Sequence, residues 1–131
     1  MTPDLVALAS AVTLLPGWEW WPGMLAQTST GRSMRLVQAE DIAPWLTTTG
    51  EVRAYPDLTD PATGGVLLDL LGPGWMVDAQ VEGSPYVVYR RVTDRSWLGE
   101  HWLGVTLAEA CCRAAVVLRR WPGARRAEED P

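Results

Sequence analysis

The chain has 131 residues, of which 47 % are hydrophobic, so it can form one compact domain, and this composition argues against global disorder. Its net charge of −5 argues against a nucleic-acid partner, because nucleic-acid binders concentrate positive charge to neutralise phosphates. Gly, Pro or charged residues interrupt the apolar runs before they reach membrane-spanning length, and the N-terminal stretch has no basic flank of a signal peptide. We therefore expect no membrane association and a cytoplasmic protein.

The first half of the chain predicts one helix, a β-hairpin and a long connection. Leu5, Leu8 and Val12 recur at the spacing of one helical face. Pro16-Gly17 then ends the helix. The following residues are typical of strands that pair around a turn at 29–32. The expected elements are a helix over residues 4–15, extended segments over 18–21 and 23–28, a strand over 33–38, and a loop over 39–60 with a short strand or helical turn near 41–46.

The second half predicts a helix, two or three strands and a final helix. Asp60 and Pro61 are typical of an N-cap and a first helical position. Thr106 and Glu109 have the spacing of a capping box, and Pro122-Gly123 ends the helix that follows. The expected elements are a helix over residues 61–71, strands over 75–82 and 86–92, turns at 83–85 and 93–95, a third strand over 96–103, a helix over 107–121 and a polar tail over 124–131.

Together these elements predict a single α+β domain over residues 1–123, with antiparallel β-hairpins packed against about three helices in the order α-β-β-loop-α-β-β-(β)-α. Pro-Gly-Trp occurs at residues 16–18 and again at 73–75, each time between a helix and an extended segment. One interpretation is a weak αββ repeat over residues 4–38 and 61–92. The other is that Pro-Gly is a common helix stop, with no shared ancestry of the two halves.

Few residues offer catalytic or metal-binding chemistry. His101 is the only histidine; it could act as a general acid or base, but a lone histidine is more often a packing or surface residue. Asp57 and Asp60 could pair as carboxylates, but turn formation and helix capping explain them without further partners. Cys111 falls on the core face of the last helix, whereas Cys112 points away, which favours an exposed thiol over a second buried face. We expect no catalytic residue, no metal and no cofactor.

The aromatic residues provide the candidates for partner contact. The chain has eight tryptophans and no phenylalanine, so core packing is the simpler interpretation of most tryptophans. Aromatic clusters also anchor protein interfaces. The residues that we expect to contact a partner protein are Trp45, Trp97, His101 and Trp102.

Three segments of the chain, residues 15–18, residues 56–63 with Leu67-Leu68, and residues 104–110, resemble small uncharacterised proteins encoded by tailed phages and prophages of GC-rich bacteria. The resemblance implies a phage setting and no catalytic residues. Together with this resemblance, the small size and acidic charge favour a non-enzymatic accessory protein that binds another protein of the host or phage. Inhibition of a host defence complex, as by anti-CRISPR proteins, is one form of this. The alternatives are a small enzyme or enzyme subunit that uses His101 with a nearby carboxylate, and a minor structural virion protein.

Overall fold

A computed structural model describes residues 1–79, 86–90 and 101–123, which form an α+β fold as the sequence predicts. The helices are α1 (Pro3–Val12), α2 (Ile42–Thr49), α3 (Pro61–Leu71) and α4 (Leu107–Leu118), and a 3-10 turn (Ala39–Asp41) leads into α2. The strands are β1 (Leu25–Thr28), β2 (Ser33–Arg35), β3 (Ala54–Pro56), β4 (Trp75–Ala79), β5 (Tyr86–Arg90) and β6 (His101–Gly104). No helix within these described ranges is both long and apolar enough to cross a membrane.

The predicted capping residues start α3 and α4. The Asp60 carboxylate accepts the backbone N–H of Thr63 at 2.9 Å, and the hydroxyl of Thr106 accepts the N–H of Glu109 at 3.1 Å. The carboxylate of Glu109 accepts the N–H of Val105 at 3.0 Å, one residue before the N-cap. The capping box of α4 is therefore displaced by one residue, and it also fixes the chain between β6 and α4.

The first sheet contains more regular structure than the sequence predicts. It is antiparallel in the order β2-β1-β3, and the β1–β2 hairpin confirms the predicted one. Residues 18–21, expected to be extended, belong to no strand. Residues 39–60, expected to be a loop with one short element, contain both α2 and β3. Strand β3 forms by pairing with β1, with Tyr55 opposite Gln27, and such a long-range partner is not visible in the local sequence.

The second sheet is antiparallel in the order β4-β5-β6. Val77, Val88 and Trp102 lie opposite one another on the three strands and share one face. We call it the inner face, because Val88 is fully buried and α4 contacts β5 and β6. The following predicted segments lie outside the described residues: the strand residues 80–82, 91–92 and 96–100, the turns at 83–85 and 93–95, and the tail over 124–131.

Helix α4 is the centre of the core. It contacts α1, α3, β5 and β6, so neighbours cover most of its circumference. Cys111 and Cys112 are both fully buried, although adjacent residues of a helix point about 100° apart. The expectation that Cys112 is exposed is therefore wrong, because α4 packs helices and a sheet against two different faces. Val116, about one helical turn after Cys112, is 40 % exposed.

Trp121, three residues after α4, joins the end of the last helix to the end of the first. Its indole N–H donates to the carbonyl of Val12 at 3.0 Å, and its backbone N–H donates to the carbonyl of Pro16 at 2.9 Å. The residue is 1 % exposed, and its ring centroid lies 5.7 Å from that of Trp18. Gly17 has a φ of +86°, and a Cβ at this residue would overlap the carbonyl oxygen of Trp121. The first Pro-Gly turn therefore needs glycine both for its conformation and for this contact.

Gly123 makes a similar close approach to α3. A Cβ at Gly123 would lie 2.5 Å from the carbonyl oxygens of Asp69 and Leu70, in the last turn of α3. Gly72, which caps α3, lies against the same glycine, since a Cβ on Gly72 would be 3.2 Å from the Cα of Gly123. The ends of α1 and α3 therefore both pack on residues 121–123.

Replacing Trp121 by phenylalanine keeps a large apolar ring but removes the N–H that pairs with the buried Val12 carbonyl. The Val12 carbonyl keeps the N–H of Leu15 at 3.3 Å, so we expect Trp121→Phe to lower the free energy of unfolding by about 0.5–1.5 kcal/mol, the usual net contribution of one hydrogen bond. Urea denaturation followed by far-ultraviolet circular dichroism measures it. The control is Trp45→Phe on the surface helix α2, which should change stability by less than about 0.5 kcal/mol. Equal stability of the two variants would contradict the role of the indole hydrogen bond.

Candidate functional site

The two expected partner-contact residues on β6 lie on opposite faces of the second sheet. Side chains alternate along a strand, so His101 is exposed on the outer face and Trp102 is half-buried on the inner face. The ring centroid of Trp102 lies 5.4 Å from that of Trp75, and Trp102 packs against the core. His101 is therefore the one of the pair that faces outwards, and a contact of the half-buried Trp102 with a partner stays a prediction.

The other two expected contact residues are not brought to this surface by the described structure. Trp45 is half-buried on α2, which leads into β3 of the first sheet. His101 instead lies on β6 of the second sheet. Trp97 lies outside the described residues, and its contact with a partner stays a prediction.

The face of the second sheet opposite to the inner face exposes apolar side chains on both of its outer strands. Strand register places its residues in two rows across the sheet: Met76, Tyr89 and His101 in one, and Asp78, Val87 and Leu103 in the other. Met76 is 46 % exposed and Leu103 is 47 % exposed. Val105, which directly follows β6, is 80 % exposed. We call these six residues in two rows the outer face.

The sequence pattern groups two residues of the outer face but does not mark them as a site. The alternation along the predicted strand at 75–82 puts Met76 and Asp78 on one side. Their exposure could not be predicted, because it depends on the side of the sheet that α4 covers. The sequence also did not indicate that Leu103 and Val105 are exposed. An apolar residue before a predicted helix is equally consistent with a core position.

An open groove of about 550 Å³ lies at the edge of β6, and His101, Leu103, Val105, Glu109 and Arg113 contribute to its lining. Glu109 is 8 % exposed, and its carboxylate accepts the Val105 N–H and pairs with Arg113 at 3.3 Å. Both carboxylate oxygens are therefore used in holding the start of α4. Within the described residues, His101 is hydrogen-bonded to no carboxylate, so the geometry that a histidine–carboxylate acid–base pair requires is not formed there.

The carboxylates of Asp57 and Asp60 have structural partners. Arg35 donates to both oxygens of Asp60, and the Thr63 hydroxyl donates to the same carboxylate at 2.8 Å. The Arg35 guanidinium, helped by Thr63, lowers the pKa of Asp60 from 3.8 to about 2. Asp57 accepts the N–H and the hydroxyl of Thr59, at 2.9 and 2.6 Å, in a turn. These contacts agree with the capping and turn roles that the sequence predicts for the two aspartates.

The buried thiols are poor nucleophiles. Burial raises the pKa of the Cys111 thiol to about 12 and that of the Cys112 thiol well above its usual range. Both thiols are therefore protonated at neutral pH, and the thiolate that attacks an electrophile or binds a metal is not formed. Over the part of the chain that the structure describes, no cluster of three or more His, Cys, Asp or Glu residues is arranged to hold a metal ion.

No family model, curated protein or solved structure matches the chain. A functional assignment therefore has to come from the geometry and chemistry of the surfaces described above.

The Asp60–Arg35 pair should make stability sensitive to acid. The folded-state pKa of Asp60 lies below its ordinary value, so the pair's stabilisation is complete above about pH 4 and is lost as the pH falls towards 2. Arg35 is 47 % exposed, so solvent screening limits the effect to about 1 kcal/mol. The free energy of unfolding, measured by urea denaturation at several pH values, should decrease more between pH 6 and pH 2 for the native protein than for Arg35→Gln. Identical pH dependence of the two proteins would show that the ion pair contributes no stability.

Proposed function

We propose that this chain is a small non-enzymatic protein that acts by binding another protein through the outer face of the second sheet. The observation that supports the proposal is the exposure of apolar side chains on the two strands that flank β5, Met76 on β4 and Leu103 on β6. Covering apolar surface is the main favourable term in protein association. Contiguous exposed apolar residues with polar neighbours are typical of interaction sites.

The polar residues of the same face suit recognition of a specific partner. His101 is exposed beside the apolar residues, and Tyr89 lies next to it on β5. Tyrosine is enriched in protein interfaces because its ring covers apolar area while its hydroxyl can hydrogen-bond. Asp78 adds a carboxylate at the β4 side. Apolar contact would supply affinity, and these three groups would orient the partner.

We propose a tailed phage or prophage of a GC-rich bacterium as the biological setting, with inhibition of a host defence complex as one form of the activity. This part of the proposal rests on the resemblance of residues 15–18, 56–63 and 104–110 and on the acidic charge of −5. The partner would then be a protein of the host or of the phage, bound inside the bacterial cell.

A comparison of two matched variants tests the binding surface. Leu103→Asp puts a charge into the outer face, whereas Val52→Asp puts the same charge at a residue that is 96 % exposed near the first sheet. Tagged native protein is expected to retain a partner from lysate of a GC-rich bacterium. Val52→Asp should retain it equally, and Leu103→Asp should lose at least about 90 % of it, since a buried unpaired charge costs several kcal/mol.

Folding of both variants is checked by circular dichroism, and their size by light scattering. Retention of the same partner by Leu103→Asp would contradict the proposed surface. Recovery of no partner at any salt concentration would contradict the binding function itself.

A further inference from the structure

The dimensions of the outer face match those of one α-helix. Its three strands are adjacent, and neighbouring strands lie about 4.8 Å apart, so the outermost strands are about 10 Å apart. The diameter of an α-helix with its side chains is also about 10–12 Å. The inner face of the same sheet already packs against a helix, α4, through β5 and β6. A second helix on the outer face would complete a helix–sheet–helix arrangement of three layers.

The charge of the outer face identifies the chemistry of that helix. Asp78 is the one residue of the outer face with a formal charge at neutral pH, and the whole chain carries −5. A second copy of the chain would bring like net charges together. A helix with lysine or arginine beside its apolar stripe would instead pair with Asp78 and be attracted by the net charge.

From this geometry and charge we infer that the outer face binds an amphipathic, basic α-helix of a partner protein. The inference rests on the proposed binding function and specifies its partner. The apolar stripe of the helix would lie along β5 over Val87, between Met76 on one side and Leu103 on the other. Basic residues at the β4 side of the stripe would face Asp78. Anchors spaced by three and four residues along such a helix are the usual way in which a helix fills an apolar surface.

Two designed peptides of about 18 residues test the inference, each long enough to form five helical turns. Both carry leucine on one helical face; one carries lysine on the other face and its counterpart carries glutamate. Each labelled peptide is titrated with the full chain and followed by fluorescence anisotropy. We expect the lysine peptide to bind at least about tenfold more tightly than the glutamate peptide, as complementary charge requires.

Leu103→Asp separates a specific site from general attraction to an acidic protein. The substitution makes the chain more negative, so general attraction alone would strengthen binding of the lysine peptide. Binding at the outer face should instead weaken by about tenfold or more, because a charge is buried under the leucine stripe. Met76→Glu should act in the same direction and provides a second variant if Leu103→Asp folds poorly. Val52→Asp is the control with the same change of charge elsewhere.

A charge reversal identifies the contact with Asp78. Asp78→Arg should weaken the lysine peptide by about threefold and strengthen the glutamate peptide, as expected for a partly exposed ion pair. Asp69→Arg, on the exposed side of α3, changes net charge equally and should affect both peptides less.

Three results would overturn the inference: equal binding of the two peptides, unchanged binding by Leu103→Asp and Met76→Glu, or dimerisation of the chain through this face in light scattering. If Leu103→Asp still loses the lysate partner while the two peptides bind alike, the basic helix is rejected and the proposed binding function remains.

Discussion

The two hydrogen bonds that Trp121 donates to Val12 and Pro16 connect the ends of the described chain, 109 residues apart in the case of the indole. The Val12 carbonyl at the end of α1 accepts the indole N–H together with the N–H of Leu15, and the Pro16 carbonyl lies in the turn that follows the helix. Gly123 then packs directly on the last turn of α3. One short segment after α4 therefore fixes the ends of all three core helices. These contacts and the burial of a large indole ring hold residues 121–123 against the core.

The position of α4 decides which surface is left for function. Held by α1 and α3 on one side, the helix presents its remaining buried face to β5 and β6, and this contact buries Val88 on the inner face. The outer face consequently receives no helix from the described residues and keeps Met76 and Leu103 exposed. Glu109 links the two features, since its carboxylate holds Val105 at the junction of β6 and α4. The proposed binding surface is therefore the face of the second sheet that α4 does not cover.

Local signals in the sequence were sufficient for the starts of α3 and α4 and for the α+β class. Asp60 and Thr106 cap their helices through nearby backbone groups, so neighbouring residues contain the whole interaction. Properties that depend on distant partners could not be read in this way. Strand β3 exists because it pairs with β1, and Cys112 is buried because α4 is covered on two faces. The candidate site belongs to the second group: the sequence placed His101 and Trp102 together as expected contacts, and only the observed strand and its packing on α4 put them on opposite faces.

Native-state hydrogen exchange tests most directly whether Trp121 holds the ends of the core helices together. If the segment after α4 holds the core together, the Trp121 amide and the amides of Cys111 and Cys112 should exchange only through global unfolding, with free energies that agree within about 1 kcal/mol. A Trp121 amide that exchanges through a local opening about 2 kcal/mol or more below the global value, while α4 stays protected, would contradict this account. The end of the chain would then be attached to a core that is stable without it.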